Sequence, residues 1–187
     1  MTRVRTDQFS ETMIVRARGK LLARTLAVLF SVALLAQLVH VALARDLAGI
    51  DAPDFVLKSV AGRNIRLSEY RSEVVALAFW ASWCGDCREG LPALERLQQS
   101  LAADGLRVVA VNFDAQADRV RESAGGARVS FPMLLDPAGE VGRLYAADHL
   151  PFIVLVDRGG KIRQTFQGNR AATDPALTAK IRSLLAE

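Results

Sequence analysis

The sequence VVALAFWASWCGDC, residues 74–87, decides the fold. Its first half is a continuous apolar run, Val74 to Trp80, which is typical of a strand buried on both faces of a parallel sheet. Two cysteines, Cys84 and Cys87, follow where a helix is predicted to begin, because leucines recur from there to Leu101 at helical spacing. A buried strand that runs directly into a helix indicates an α/β protein, and the strand-to-helix junction is the functional edge of such sheets.

The spacing of the two cysteines predicts redox chemistry. Unpaired N–H groups and the helix dipole at the start of a helix stabilise negative charge, so a thiolate is favoured at Cys84. The three-residue spacing brings Cys87 back beside it within one helical turn, close enough for a reducible disulfide. We therefore predict that the Cys84 thiolate attacks a substrate disulfide and that Cys87 resolves the mixed disulfide, which leaves the pair oxidised.

Two other roles for this pair fit the sequence poorly. A zinc site would need further ligands, yet the chain has no other cysteine and only two histidines, His40 and His149. An inert buried pair is disfavoured because the junction, with Trp83 before the first cysteine, marks an exposed edge. The sequence therefore predicts no metal and no other cofactor.

The rest of the chain extends the sheet. Its hydrophobic pattern predicts further strands and helices, and Arg158-Gly159-Gly160 is a hairpin signal between the last two strands. The predicted strands are 54–58, 64–67, 74–80, 106–113, 131–135, 152–157 and 161–167, and the predicted helices are 87–101, 116–124, 139–146 and 173–185. This order predicts a sheet that is covered on both faces.

Charge divides the chain near Ala44. Of the 187 residues, 51% are hydrophobic and 24% are charged, which excludes a disordered chain. The net charge of +4 belongs to residues 1–44, which hold six basic and two acidic side chains, whereas the remaining 143 residues balance 18 against 18. A neutral domain offers no basic face, so no nucleic-acid partner is expected.

Residues 25–44 are predicted to enter a membrane. They carry no charged side chain and follow an arginine-rich stretch, and a helix of this length rises about 30 Å, the thickness of a hydrocarbon core. The length favours an N-terminal anchor, whereas Ala42-Leu43-Ala44 fits a signal-peptidase site, and both fates place the domain outside the cytoplasm, where disulfides persist. The predicted organisation is a signal peptide or anchor at 1–44, a connector at 45–53 and a domain at 54–187.

Several segments of the domain resemble one family. The segment FWASWCGDCREGLPALERL, residues 79–97, together with Ala52-Pro53-Asp54-Phe55, Phe131-Pro132 and Leu150-Pro151, is similar to the TlpA/ResA/DsbE group of extracytoplasmic thiol–disulfide oxidoreductases. The resemblance implies a thioredoxin-like fold with an N-terminal β-hairpin and a central αβ insertion, preceded by the hydrophobic signal or anchor helix. It also implies that Pro151 is cis and faces the cysteines, with Trp83, Gly85 and Asp86 as supporting residues.

The same resemblance implies a periplasmic disulfide reductase, either anchored to the inner membrane or released near Ala44. Its expected partners are oxidised proteins, such as apocytochrome c in cytochrome c maturation or copper-site assembly proteins, and a membrane-embedded thiol donor that supplies electrons. Two residues favour a reductant over an oxidant. The negative charge of Asp86 opposes a thiolate on Cys84, and Leu150 adds an apolar wall.

Two positions depart from the pattern of the family. Many of its reductases carry a glutamate three residues after the second cysteine, where this chain has Gly90, with Glu89 one residue earlier. Thioredoxins proper place a buried aspartate at the position of Ala78. The group that accepts the proton of the resolving cysteine therefore stays open between Asp86, Glu89 and water.

Two alternative functions use the same region. His149 lies two residues before Pro151 and could join Cys84 and Cys87 in binding copper, as in carriers of the Sco type, although three residues separate the cysteines of those carriers. A peroxiredoxin-like peroxidase is suggested by the opening segment, residues 52–71. That class carries a threonine before its peroxidatic cysteine, whereas this chain has Ser82-Trp83 there.

Overall fold

A computed structural model describes residues 47–125 and 128–187 of the chain. Leu47–Glu187 forms one compact unit. The predicted signal or anchor segment, 1–44, lies outside the described residues. Within the described part, none of the helices has the length and apolarity needed to cross a membrane.

The order of helices and strands follows the hydrophobic pattern closely. A two-stranded hairpin comes first, then a short 3-10 helix at Leu67–Tyr70, and then strands that alternate with helices. The strands are β1 (Val56–Lys58), β2 (Asn64–Arg66), β3 (Val74–Trp80), β4 (Leu106–Asn112), β5 (Met133–Leu135), β6 (Phe152–Val156) and β7 (Ile162–Gln167). The helices are α1 (Gly85–Leu101), α2 (Ala117–Gly125), α3 (Glu140–Leu144) and α4 (Pro175–Leu185).

Five strands form a mixed sheet in the order β5-β4-β3-β6-β7. Strands β3, β4 and β5 run parallel, while β6 is antiparallel to β3 and β7 is antiparallel to β6. The antiparallel pair β1-β2 forms a separate hairpin, and α2 with β5 is inserted between β4 and α3. The expected thioredoxin-like fold, with its N-terminal hairpin and central αβ insertion, is confirmed for the described domain.

Strand β3 is the centre of the core because both of its faces are buried along its whole length. Its Ala76 and Ala78 side belongs to the cluster that contains the leucines of α1 and α4. Its Leu77 and Phe79 side packs with the hairpin and with Tyr145, whose ring centroid lies 5.5 Å from that of Phe79. Helices α1 and α4 therefore cover one face of the sheet, and the β1-β2 hairpin and α3 cover the other.

Capping residues shift some boundaries away from the predicted ones. The first strand begins at Val56 rather than at 54, because Asp54 accepts hydrogen bonds from the backbone N–H and the hydroxyl of Ser68, both at 3.0 Å. The last helix begins at Pro175 rather than at 173, because the side chain of Asp174 accepts the N–H of Ala176 as a helix cap.

The N-terminal half of β4 lacks a neighbouring strand on one side. Strand β5 pairs only with the C-terminal half, from Ala110 to Asn112, and is shorter than predicted. In the unpaired half, the N–H of Val108 donates to the buried side-chain carbonyl of Gln98 at 2.7 Å. A side chain of α1 thus satisfies the sheet edge where the strand ladder stops.

Candidate active site

The two cysteines lie where β3 passes into α1. Cys84 is the residue that precedes the helix, and its sulfur accepts a hydrogen bond of 3.2 Å from the backbone N–H of Cys87. The helix therefore begins at Gly85, two residues earlier than predicted. A disulfide joins Cys84 and Cys87, whose Cα atoms are 5.3 Å apart. The sulfur of Cys84 therefore accepts a hydrogen bond and also lies at the positive end of the dipole of α1.

The two cysteines differ in access to solvent. Cys84 is partly exposed, while Cys87 is only 3% exposed. The neighbours Gly85 and Asp86 are exposed, and Trp83 is 71% exposed, which is unusual for so large an aromatic side chain. An incoming disulfide can therefore reach the sulfur of Cys84, whereas Cys87 is shielded.

Pro151 lies at the same end of the sheet as the disulfide. It directly precedes β6, whose first residue, Phe152, pairs with Phe79 near the end of β3. The Leu150–Pro151 peptide bond is cis, as the family resemblance implies. Pro151 and Cys87 also line the same small cavity, so the proline packs beside the buried cysteine.

This cavity is lined by the two positions at which the sequence departs from the expected family pattern. It has a volume of about 10 Å³, and Ala78 and Gly90 are among its lining residues together with Cys87. A Cβ atom added to Gly90 would lie 3.0 Å from the Cβ of Ala172, so a glutamate side chain does not fit there without movement of the chain. The surroundings of Cys87 are apolar on this side.

The remaining acidic candidates lie elsewhere. Asp86 and Glu89 are both exposed on α1, and neither lines the cavity beside Cys87. Of the three proton acceptors left open by the sequence, the two carboxylates thus face solvent. The residues that line the cavity beside Cys87 supply no proton acceptor.

A buried carboxylate that the sequence analysis did not single out holds the loop before the cysteines. Asp114, only 6% exposed, accepts hydrogen bonds of 2.7 Å from both the backbone N–H and the hydroxyl of Ser82. The side chain of Asn112 in turn accepts the N–H of Asp114 at 2.7 Å. Burial acts to raise the pKa of Asp114, but the hydrogen bonds from Ser82, together with Asn112 and the positive charge of Arg119, outweigh it and hold that pKa below its usual range.

One signal in the sequence could have identified Asp114. It follows the buried strand β4 by two residues, and in a parallel sheet the carboxyl ends of neighbouring strands meet at one edge. An acidic residue just beyond that edge therefore lies near the end of β3 and near the cysteine loop. Its partner Ser82 carries no such signal, because a serine before Trp83 also fits an ordinary exposed loop.

His149 does not form a metal site with the cysteines in this structure. It is exposed in the loop before Pro151. Across residues 47–125 and 128–187, no three side chains of histidine, cysteine, aspartate or glutamate come together as a group that could hold a metal ion.

Comparison with known sequences identifies relatives that match most of the domain. The profile of the AhpC/TSA family matches residues 48–165. The thiol–disulfide oxidoreductase ResA of Geobacillus thermodenitrificans is 32% identical over 126 residues, which cover 67% of this chain and 72% of that protein. The thioredoxin-like protein YneN of Bacillus subtilis is 37% identical over 123 residues, 64% of this chain and 71% of that protein.

Solved structures with the same fold include redox proteins. The crystal structure of a putative thiol:disulfide interchange protein DsbE from Chlorobium tepidum is 38% identical and superposes with a TM-score of 0.70 over 74% of this chain and 97% of that one. A putative protein disulfide isomerase from Bacteroides thetaiotaomicron is 28% identical, with a TM-score of 0.67 over 75% of this chain and 91% of that one.

The contact between Asp114 and Ser82 predicts a pH-dependent contribution to stability. Because the folded pKa of Asp114 lies below its unfolded value of 3.8, its contribution is full above that value and is lost as the pH falls through the folded pKa. We expect Asp114→Asn to lower the free energy of unfolding by about 1.5–3 kcal/mol at pH 7 and by less at pH 3. Urea unfolding at both pH values measures the difference.

The matched control is Asp118→Asn, since the side chain of Asp118 is 86% exposed and pairs only with exposed Arg121. This substitution should change the free energy of unfolding little at either pH. A deficit of Asp114→Asn that is the same at pH 7 and pH 3 would contradict the role assigned to the carboxylate.

Proposed function

The chain belongs to the AhpC/TSA family and is a thiol–disulfide oxidoreductase, and we propose that it works as an extracytoplasmic reductase of protein disulfides. The observation that carries this proposal is the asymmetry of the disulfide. Cys84 is partly exposed and its sulfur accepts the N–H of Cys87, while Cys87 itself is buried. One cysteine is thereby suited to attack a substrate and the other to release it.

The proposed reaction transfers two electrons to the substrate. In the reduced protein, the Cys84 thiolate attacks one sulfur of a substrate disulfide, and the other substrate sulfur leaves as a thiolate that takes up a proton. The Cys87 thiol then loses its proton and attacks the Cys84 sulfur. This second step releases the remaining substrate thiol and leaves the Cys84–Cys87 disulfide that the structure contains.

Stabilisation of the attacking thiolate comes from backbone groups. The N–H of Cys87 already donates to the Cys84 sulfur in the disulfide, and the same bond becomes charge-assisted when that sulfur is a thiolate. The amides of the first turn of α1 add the field of the helix N-terminus. Ser82 and Asp114 hold the loop that places Cys84 at this position.

The proton of Cys87 leaves through water in this proposal. The apolar lining at Ala78 and Gly90 supplies no acceptor, and Asp86 and Glu89 face solvent. A thiol in apolar surroundings keeps its proton more firmly than an exposed one, so Cys87 stays neutral until Cys84 has reacted. The order of the two steps then follows from their surroundings.

The direction of electron transfer depends on how stable the Cys84 thiolate is in the reduced protein. Asp86, the second residue of α1, lies between the two cysteines in the sequence and is exposed. Its negative charge repels a thiolate on Cys84 and so makes that thiolate less stable. Because Asp86 is exposed, added salt screens this repulsion. Strong oxidants of this chemistry owe their high potential to a very stable thiolate in the reduced form. A less stable thiolate at Cys84 favours a reductant.

The partners of such a reductant follow from its compartment. We assign residues 25–44 to a signal peptide or membrane anchor, from their apolarity and the basic residues before them, which places the domain on the outer side of the inner membrane. In an oxidising compartment the cysteine pair is oxidised after each reaction with a substrate, so a membrane-embedded thiol donor is needed to reduce it again. Candidate substrates are oxidised proteins, among them apocytochrome c and copper-site assembly proteins.

The two alternative functions have less support. Copper carriage would use Cys84, Cys87 and His149. In this disulfide-bonded state, these three side chains do not form a group that could hold a metal ion among the described residues. A peroxidase has no support from the names of the relatives compared above, which are thiol–disulfide oxidoreductases and thioredoxin-like proteins.

The roles of the cysteines can be tested by trapping. With Cys87→Ser, the mixed disulfide on Cys84 cannot be resolved, so we expect a stable covalent adduct with a disulfide-containing protein such as insulin. With Cys84→Ser, we expect no adduct and no reduction, because Cys87 is buried. Non-reducing electrophoresis and mass spectrometry identify the linked residue. An adduct that formed on Cys87 instead would reverse the assignment.

The direction of the reaction can be tested through the redox potential. Equilibration of the Cys84–Cys87 couple with glutathione or thioredoxin buffers should give a value nearer to that of thioredoxin, about −270 mV, than to that of DsbA, about −120 mV. Asp86→Ala should shift the potential upward, because the thiolate loses a repulsive neighbour. Glu89→Ala, also exposed but outside the motif, should have a smaller effect. A value near −120 mV would make the protein an oxidant.

A further inference from the structure

A second cavity lies away from the redox pair, beside the part of β4 that has no neighbouring strand. It has a volume of about 710 Å³, which is within the range of pockets that hold small molecules. The β1-β2 hairpin forms one side, and α2 with the segment leading into β5 forms the other. None of the residues assigned to the redox site lines it. We refer to it as the arginine groove.

Four arginines give the groove its charge. Arg63 comes from the hairpin, Arg107 from β4, and Arg121 and Arg128 from the opposite side. Among the residues that line the groove in the described part of the chain there is no aspartate or glutamate. This asymmetry is local, because residues 45–187 are neutral overall.

Two of these four charges are already compensated. Arg107 donates to both carboxylate oxygens of Glu73, and Arg121 lies 2.6 Å from the carboxylate of Asp118. Arg63 and Arg128 form no ion pair with any described residue, and both are exposed. They come from opposite sides of the groove and leave two cations available to a ligand.

A tyrosine adds a polar group on the hairpin side. Tyr70 is half-buried in the groove lining, and its hydroxyl has no hydrogen-bond partner within the described part of the chain. Burial raises the pKa of Tyr70, Arg107 and Arg63 act in the opposite direction, and the carboxylates of Glu69 and Glu73 add to the effect of burial, so the pKa lies above its ordinary value. The hydroxyl therefore stays protonated at neutral pH and can donate to an anion.

Apolar side chains complete the lining. Ile65, Phe131 and Met133 also line the groove, and each of them is buried. A purely inorganic anion would leave these surfaces unused, whereas a ligand with an apolar body would cover them. Guanidinium groups bind carboxylates and phosphates through paired hydrogen bonds. From these observations we propose that the arginine groove binds a small organic anion with two acidic groups on an apolar body.

This site is separate from the redox reaction. Along β4, Arg107 and Asn112 are five residues apart, which corresponds to about 16 Å of strand, and only the Asn112 end lies beside the cysteine loop. Binding in the groove is therefore expected to be the same in the oxidised and the reduced protein. The proposal does not depend on the direction of the redox reaction.

The test uses naphthalene-2,6-dicarboxylate as the probe and the full chain. Isothermal titration at low salt should show saturable binding of one molecule per chain, weakened by added salt. Succinate, which lacks the apolar body, and naphthalene-2,6-dimethanol, which lacks the charges, should both bind more weakly. Equal binding of all three, or no saturable binding of the dicarboxylate, would overturn the proposal.

Matched variants locate the site. Arg63→Gln and Arg128→Gln should each weaken binding about threefold to tenfold, and Tyr70→Phe should weaken it less. Arg96→Gln and Arg182→Gln remove exposed arginines on α1 and α4 and should leave the affinity unchanged. Equal effects of the groove variants and the control variants would show non-specific attraction and overturn the proposal.

Two further measurements distinguish a small anion from an acidic protein partner, and a lost binding site from a lost fold. A glutamate-rich peptide, added as competitor, should displace the probe only weakly; tight peptide binding without probe binding would assign the groove to a protein partner and overturn the small-anion proposal. Insulin reduction by Arg63→Gln and Arg128→Gln should match the parent protein. Unchanged insulin reduction shows that the two variants are folded. A failure of the ligand-binding proposal would then leave the proposed redox function unaffected.

Discussion

The amide of Cys87 donates a hydrogen bond to the sulfur of Cys84, and the surrounding structure serves to keep that contact at an accessible edge of the sheet. The contact exists because a fully buried strand, β3, ends just before a helix begins. Burial of β3 on both faces fixes the position of its carboxyl end, and the free amides of α1 then meet the first cysteine. A different register of β3 would remove this arrangement.

Differences in burial turn this contact into a reaction with a defined order. Cys84 is partly exposed and lies at the start of α1, while Cys87 lies against Ala78, Gly90 and Pro151 in apolar surroundings. In the proposed reaction this difference assigns the first attack to Cys84 and the second to Cys87. The loop between strand and helix keeps this geometry because Asp114 accepts two hydrogen bonds from Ser82.

The sequence predicts the parts of this arrangement that depend on periodicity and local signals. The apolar run of β3, the helix after it and the hairpin at Arg158-Gly159-Gly160 all appear where expected. Long-range contacts carry no such signal. The bond between Asp114 and Ser82 joins residues 32 apart, and the close approach of Ala172 to Gly90 depends on the packing of a distant segment. The arginine groove likewise needs the tertiary structure, since Arg63 and Arg128 belong to different segments.

Activation of Cys84 by the start of α1 is tested most directly by the pH dependence of alkylation in the reduced protein, followed for each cysteine by mass spectrometry of peptides labelled with iodoacetamide. We predict that Cys84 reacts first, with an apparent pKa below the value of about 8.5 for a free thiol, and that Cys87 reacts only slowly at a higher pH. Faster labelling of Cys87, or an apparent pKa of Cys84 at or above that of a free thiol, would contradict the claim that the start of α1 activates Cys84.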